Sequence, residues 1–223
     1  MSTLRSFVLR PWSFVVLSAA VGAQQADLLG DVAKLTPHGV KVERVTYRGR
    51  TAVRVVEPQI NAGGGIVVVP VELKNGVIDV QIAGAPAPGA AEASRGFVGI
   101  AFRVQADAKR YDCFYLRPTN GRADDQLRRN HSTQYISEPD FPWQRLRKEA
   151  PGVYESYVDL EPGAWTPVRI VVDGTKARLH VNGAEQPTLI VNDLKQAEAS
   201  GRVALWIGQG TEAHFSNLTV TAR

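Results

Sequence analysis

The densest polar chemistry in the sequence lies between Tyr115 and Trp143, in the stretch YLRPTNGRADDQLRRNHSTQYISEPDFPW. This stretch holds four arginines, four acidic residues and a histidine, and it interleaves them with aromatic side chains. Planar charged groups beside flat rings can hydrogen-bond to a polar ligand and stack on it. Interleaved opposite charges can also pair with one another and hold a long loop in one shape. Both roles remain open from the residues alone.

The strand before this stretch indicates which side chains face the loop. Side chains alternate between the two faces of a strand, so Tyr115 and Arg117 share one face while Phe114 and Leu116 share the other. Phe114 and Leu116 are predicted to be core, which directs Tyr115 and Arg117 towards the polar loop. The predicted ligand-contacting set is therefore Tyr115, Arg117, Arg122, Arg128, Tyr135 and Trp143.

The elements that must position these residues are predicted to be β-strands. From residue 39 onward, apolar and polar residues alternate with period two between turn signals such as Asn75-Gly76, Asp173-Gly174 and Asn182-Gly183. Strands include Val153–Leu160, residues 83–94 are a loop, and helix is expected only at Asp27–Leu35 and Trp143–Ala150. The pattern predicts an all-β, antiparallel two-sheet jelly-roll sandwich with one or two short helices. A closed barrel is the alternative.

The C-terminal half carries more specific patterns. They are WTPVRIVVDG from Trp165, KARLHVNG from Lys176, GRVALWIG from Gly201 and AHFSNLTV from Ala213. These segments resemble the closing strands of the concanavalin A-like, laminin-G-like jelly-roll superfamily. The overall order is most similar to the bacterial secreted domain named for 3-keto-disaccharide hydrolases. The resemblance covers roughly residues 40–222 and is best supported after residue 95.

The resemblance implies a carbohydrate ligand, bound at loops or on a sheet face. A sugar offers hydroxyl groups and apolar C–H patches, which suit planar polar side chains around a flat ring. Two further features leave alternatives open. Glu155, Tyr157 and Asp159 line one strand face that is either solvated or ligand-binding, and Trp206 is either a stacking platform or part of the core.

Acid–base chemistry on a glycoside ordinarily needs two carboxyl groups. The E-x-D-x-x-E motif of many concanavalin A-like glucanases has its nearest match at Glu138 and Asp140, but Trp143 replaces the second glutamate. The similarity to 3-keto-disaccharide hydrolases implies another route, because a ketone acidifies the neighbouring proton and one base can then drive elimination. His131, Asp124 and Glu155 are the candidate catalytic residues, with Arg122 or Arg128 stabilising an enolate.

Metal binding has little support in the residue spacing. The histidines, at positions 38, 131, 180 and 214, lack the spacing of a zinc site, and the calcium loop D-x-[DN]-x-[DN]-G is absent. The laminin-G-like resemblance implies calcium held by irregular loop oxygens, with Asp124 and Asp125 as candidate ligands. The sequence therefore predicts no cofactor, with calcium as the one alternative.

The N-terminus predicts export. Residues 1–23 combine Arg5 and Arg10 with an apolar run and a small-residue exit, which is typical of a signal peptide. We therefore divide the chain into a signal peptide at 1–23, a lead-in segment at 24–38 and the sandwich at 39–223. Without Arg5 and Arg10, the formal charge of +4 falls to +2, which does not favour nucleic acid as a partner. No later apolar run predicts a membrane span.

Three functions fit these observations. The first is an exported, periplasmic or extracellular, carbohydrate-binding domain without catalytic activity. The second is a glycoside hydrolase acting on 3-keto-disaccharide-like substrates. The third is a non-catalytic protein-interaction domain, which an exposed apolar patch would favour. The identity of the sugar and the oligomeric state are left open.

Overall fold

A computed structural model describes residues 27–223, which form two antiparallel sheets of seven strands each. Sheet I has the spatial order β1 (Thr36–His38), β4 (Gly65–Leu73), β13 (Gly201–Ile207), β6 (Val98–Val104), β7 (Tyr111–Leu116), β8 (Thr133–Glu138), β9 (Glu155–Ser156). Sheet II has the order β12 (Leu189–Val191), β11 (Lys176–Val181), β10 (Thr166–Asp173), β5 (Gly76–Pro86), β14 (Thr211–Ala222), β3 (Arg50–Val56), β2 (Lys41–Tyr47). The predicted jelly-roll sandwich is confirmed.

Helices are few and short in this part of the chain. The α-helices are α1 (Gln126–Asn130) and α2 (Trp143–Glu149), and 3-10 turns occur at Val32–Lys34 and Pro118–Asn120. Asp125 caps α1, because its carboxylate accepts the Arg128 backbone N–H at 2.8 Å. The helix predicted at Trp143–Ala150 is confirmed as α2, whereas the segment Asp27–Leu35 forms only the first 3-10 turn.

The core lies between the inner faces of the two sheets. On sheet I, Phe114 packs near Phe102 and Tyr135, with ring centroids 6.1 Å and 5.5 Å away. On sheet II, β10 alternates so that Val168, Ile170 and Val172 are buried. Burying one large apolar side chain contributes about 1.5–3 kcal/mol, so these inner faces hold the sheets together.

Two of the three predicted turns lie between paired strands of sheet II, whereas Asn75-Gly76 lies where the chain passes from β4 of sheet I to β5 of sheet II. Asn182 and Gly183 follow β11 with φ values of 58° and 72°. Positive φ values suit glycine, which has no Cβ, and asparagine tolerates them better than most other residues do. Strands β10 and β11 pair antiparallel from Val168 opposite Val181 to Asp173 opposite Lys176, which confirms the predicted meander there.

Three predicted segments differ from the structure. Val153–Leu160 contains only the two-residue strand β9, because Tyr154, Glu155 and Leu160 are all buried and break the alternation of an open strand. The predicted loop at 83–94 starts later, since β5 continues to Pro86. Residues 27–38, which we had separated from the sandwich, pack against it through buried Leu29 and Leu35 and through β1. The predicted signal peptide lies outside the described residues.

Candidate functional site

A cleft of about 390 Å³ lies over the outer face of sheet I. Its lining is mainly aromatic and amide in character, with one carboxyl group. The aromatic residues are Phe97, Tyr115, Trp143 and Trp206, and the polar ones include Asn61, Gln144, Gln209 and Glu138. A cleft of this size and mixed lining is typical of a small-ligand site.

A glycine in β6 builds the aromatic floor of this cleft. Gly99 pairs with Tyr115 of β7 on one side and with Trp206 of β13 on the other. Since Gly99 has no side chain, the two rings meet above it with centroids 4.7 Å apart and planes inclined by 26°. A Cβ at position 99 would lie 2.6 Å from the Tyr115 Cβ, so glycine is required for this approach.

Two further contacts hold the floor in place. The Trp206 Nε1–H donates to the Tyr111 hydroxyl at 3.3 Å. The Phe97 ring meets Tyr115 edge-on at a centroid distance of 6.1 Å. Side chains fixed on strands by such contacts form a rigid surface, which loses little entropy when a ligand stacks on it.

A buried carboxylate, Glu57, fixes the loops at one end of the cleft. It accepts backbone N–H groups from Asn61 at 2.8 Å, Gly63 at 2.7 Å, Gly64 at 2.6 Å and Gly210 at 2.8 Å. These bonds join the β3–β4 loop to the β13–β14 turn. Both connections contribute amide side chains to the lining, so Glu57 positions polar groups that it does not itself present.

A second buried carboxylate, Glu155, fixes the opposite wall. Its side chain is 2% exposed and binds Arg147 of α2, Arg117 at 3.3 Å and His131 at 3.5 Å. Arg117 also donates to the Tyr115 hydroxyl at 2.7 Å and to Gln134 at 3.0 Å. We call Glu155, Arg117, Arg147 and His131 the Glu155 cluster.

The Glu155 cluster lies behind Trp143. The Arg147 guanidinium carbon is 4.6 Å from the centre of the Trp143 ring, and that of Arg117 is 5.9 Å away. Burial lowers the pKa of His131, although the nearby Glu155 carboxylate opposes this. The cluster thus anchors α2, which presents Trp143 and Gln144 to the cleft.

Glu138 is the carboxyl group of the cleft. It is half-buried at the end of β8, directly across from Tyr111 of β7. Burial raises the pKa of Glu138 above its ordinary value. A carboxyl group in this position can accept hydrogen bonds from a ligand when ionised, or donate one when protonated.

Replacing Glu138 with glutamine is expected to raise the melting temperature at pH 7. Burying the charged form costs stability, and this cost appears as pH rises from the ordinary pKa of the unfolded chain through the raised pKa of the folded one. Below the ordinary pKa the Glu138 carboxyl group is neutral in both the folded and the unfolded chain. The difference in melting temperature between the variant and the wild type should therefore vanish near pH 4. Calorimetry across this pH range measures it.

Glu185→Gln, at an exposed position in the connection between β11 and β12, is the matched control. It should show no comparable gain at pH 7. A Glu138→Gln protein that melts below the wild type at pH 7 would show instead that the charged carboxylate is stabilising.

The structure divides the six ligand-contacting residues predicted from the sequence. Tyr115 and Trp143 line the cleft, and Arg117 lies behind them in the Glu155 cluster. Tyr135 does not reach the cleft: it is fully buried on the core face of β8, where its hydroxyl donates to Asp112 at 2.6 Å. Alternation explains this, because its neighbours Gln134 and Ile136 take the outer face.

Arg122 and Arg128 lie outside the cleft lining. Arg122 makes two hydrogen bonds with Asp159, at 2.8 Å and 3.1 Å, and a third with Glu161 at 3.1 Å. Arg128 is exposed on α1. For Arg122, the structure favours the ion-pairing role over the ligand-contacting one.

Replacing Arg122 with alanine is expected to leave ligand binding unchanged. Its ion pairs are exposed on both sides, with side chains 60% and 55% accessible, and such pairs contribute little to stability. The melting temperature should therefore change only slightly. Titration with any saccharide that binds the wild type checks the first expectation, and a marked loss of affinity would return Arg122 to the site.

The candidate catalytic residues are also separated. His131 and Glu155 meet in the cluster, whereas Asp124 is exposed on the loop before α1. Asp125 is occupied as the cap of α1. Within residues 27–223 no group of three or more His, Cys, Asp and Glu side chains is arranged to hold a metal ion.

Sequence reasoning missed several residues of the cleft. The sequence did not decide whether Trp206 is a stacking platform or part of the core. It pointed to Glu138 only as part of a two-carboxylate motif. Gly99, near the start of the apolar strand β6, was the signal that could have located the aromatic floor, because a strand glycine often marks a close approach of neighbouring groups. Asn61 and Gln209 had no comparable signal.

Comparisons with known proteins show the fold. Neither a family model nor a curated protein matches the chain. Among solved structures, the carbohydrate binding module CBM66 from Bacillus subtilis has a TM-score of 0.59 at 11% identity, covering 84% of this chain and 94% of that one. A Bacillus subtilis protein of unknown function with a galectin-like fold has a TM-score of 0.54 at 9% identity, covering 88% and 93%.

A mutant of the Emp46p carbohydrate recognition domain gives a TM-score of 0.50 at 11% identity, covering 88% of this chain and 94% of that one. At these identities the likeness extends to the fold only. Within residues 27–223, no helix has the length and apolar character needed to cross a membrane. The sandwich fold that the chain shares with these solved structures agrees with the predicted two-sheet jelly roll.

Proposed function

We propose that the protein binds a carbohydrate in the cleft over sheet I. The observation that carries this proposal is the partly exposed Trp206 ring, which stacks on the buried Tyr115 ring over Gly99 at the floor of a cleft with a mixed lining. The apolar C–H face of a sugar ring can stack on such a floor. Its hydroxyl groups can bond to the surrounding amides and to Glu138, since these groups both donate and accept.

The structural neighbours support this class of ligand. Two of them are described as a carbohydrate binding module and a carbohydrate recognition domain, and both cover more than nine-tenths of their own length in the match. The lining of the cleft is aromatic and polar. An exposed apolar patch would instead have favoured a protein-interaction domain. The signal-peptide pattern of residues 1–23 supports the proposal that this binding takes place in the periplasm or outside the cell.

Titration with a saccharide panel tests the proposal. Isotope-labelled protein would be titrated with neutral, amino and acidic mono-, di- and trisaccharides while its amide NMR signals are recorded. Binding in the cleft should shift the signals of Gly208 and Gln209, whose residues line it. If no saccharide shifts these signals, the proposed function is wrong.

A hydrolase acting on a keto sugar is a second candidate, and Glu138 is the observation that favours it. Glu138 lines the cleft, and burial raises its pKa, which makes its carboxylate a stronger base than that of an exposed glutamate. Acting as the single base, Glu138 would take the acidified proton beside the ketone, and the resulting enolate would expel the glycosidic oxygen, which leaves as an alcohol after taking that proton back. Water adding to the new double bond would complete the hydrolysis. Mass spectrometry of ordinary and 3-keto disaccharides after incubation with the protein tests this candidate. If the disaccharides are recovered unchanged, cleavage of these substrates is excluded.

A further inference from the structure

The cleft is not the only hollow that Glu138 lines. A second hollow, of about 280 Å³, also has this residue in its lining. It lies at the end of sheet I, between the β6–β7 turn, the segment that joins β8 to α2 and the segment before β13. Its lining includes Gln105, Arg110, Asp140, Phe141, Lys195 and Gln196.

The second hollow differs from the cleft in its chemistry. It offers charged groups of both signs where the cleft offers rings. The Arg110 side chain is 62% exposed and bonds to Asp107 at 2.9 Å, and Asp140 is exposed beside it in the lining. The Lys195 ammonium group bonds to Asp193 at 2.6 Å and lies 5.6 Å from the centre of the Phe141 ring. Such a lining can bond to hydroxyl groups but has little free aromatic surface for stacking.

We infer that the second hollow is a subsite for a further sugar unit, so that the ligand is a disaccharide or a longer glycan passing Glu138. This inference rests on the proposed function. A unit stacked on Trp206 directs hydroxyl groups towards Glu138 at the end of the cleft. The carboxylate oxygens can accept from units on both sides, and Arg110 and Asp140 then bond to the hydroxyl groups of the next unit.

Size supports the same conclusion. The cleft alone, at about 390 Å³, is near the lower end of the roughly 300–1,000 Å³ found for small-ligand sites. A ligand confined to the cleft would leave the part of Glu138 that lines the second hollow without a ligand contact. A ligand spanning both hollows would contact this carboxyl group from both sides.

The test compares saccharides of increasing length. Isotope-labelled protein is titrated with glucose, galactose and N-acetylglucosamine and with disaccharides and trisaccharides of the same units in α and β linkages. Shifts of the Gly208 and Gln209 amides report the cleft, and shifts of the Ala197 and Ala199 amides report the second hollow. We expect disaccharides to shift both sets and to bind at least about tenfold more tightly than monosaccharides.

The failures are distinguishable. Equal affinity for mono- and disaccharides, with shifts confined to Gly208 and Gln209, would overturn the subsite and leave the proposed function intact. No shift at either hollow with any member of the panel would overturn the proposed function, and the subsite with it.

Two variants sharpen the comparison. Arg110→Ala and Asp140→Ala should each weaken disaccharide binding by about fivefold, the value of one lost hydrogen bond, while monosaccharide binding stays unchanged. Lys109→Ala is the matched control, because Lys109 is exposed on the same turn and does not line the hollow. Equal disaccharide affinity in all three variants and the wild type would exclude these contacts.

Discussion

Replacing Trp206 with alanine should weaken saccharide binding by roughly 30-fold, which corresponds to about 2 kcal/mol. The indole is the partly exposed ring of the stacked pair, since Tyr115 is buried, and its bond to Tyr111 holds it in place, so its loss removes both the stacking surface and its rigidity. Isothermal titration calorimetry with the best-binding saccharide of the panel measures the change. The loss should appear for mono- and disaccharides alike, since both would stack in the cleft.

Trp165→Ala is the matched control for this prediction. Trp165 is also half-buried and lies edge-on to Tyr47 at a centroid distance of 5.6 Å, next to strand β10 of the other sheet. Its replacement should leave saccharide affinity unchanged. If Trp206→Ala folds, as judged by its circular dichroism, and binds as well as the wild type, the aromatic floor is not the binding surface.

Replacing Glu155 with alanine is expected to cause the largest loss of stability. Arg117, with 6% of its side chain exposed, would keep a buried positive charge without its carboxylate partner. Breaking a buried ion pair from one side costs about 3–5 kcal/mol. For a chain of this length such a loss lowers the melting temperature by roughly 10 °C, which differential scanning calorimetry would show.

Two variants show whether Glu155→Ala loses stability because it leaves a buried charge unpaired or because it removes a carboxylate side chain. Glu161→Ala removes an exposed carboxylate nearby in the chain and should leave the melting temperature nearly unchanged. The double variant Glu155→Met with Arg117→Met removes both members of the buried pair and should recover part of the lost stability. A Glu155→Ala protein as stable as the wild type would mean that the cluster does not hold this wall.

The Glu155 cluster also links stability to binding. Arg147 connects the cluster to α2, and both Arg147 and Arg117 lie over the Trp143 ring. Losing Glu155 should therefore weaken binding as well, because Trp143 and Gln144 would no longer be held at the cleft wall. This effect separates the cluster from the exposed ion pairs of Arg122.

Much of the fold was predictable from local patterns. Alternation predicted most strands and the antiparallel sandwich, and it assigned Phe114 and Leu116 to the core, where both are buried. It failed at Val153–Leu160, where the alternating acidic residues suggested an open strand face. There Glu155 is buried by two arginines, and nothing in the local spacing indicated that they would meet it.

The site was less predictable, because its members are distant in sequence. The stretch from Tyr115 to Trp143 was rightly recognised as polar and aromatic, but it is not a single loop: it contains α1 and β8 and leads into α2. Tyr115 and Trp143 reach the cleft, while Arg122 is neutralised by Asp159. Whether an arginine of this stretch faces a ligand or pairs with a carboxylate depends on where residues 155–161 lie in the folded chain, because these residues supply the carboxylates.

The sequence by itself determined the sandwich, its turns and the faces of β7, because strand alternation and turn preferences depend on neighbouring residues. Only the tertiary structure decided which aromatic rings form a floor and which carboxyl group faces the cleft. Trp206 and Tyr115 meet because the strand order places Gly99 between them, and Glu138, at the end of β8, lines two hollows. Strand order and register are properties of the assembled sheet, since they depend on contacts between segments far apart in the chain.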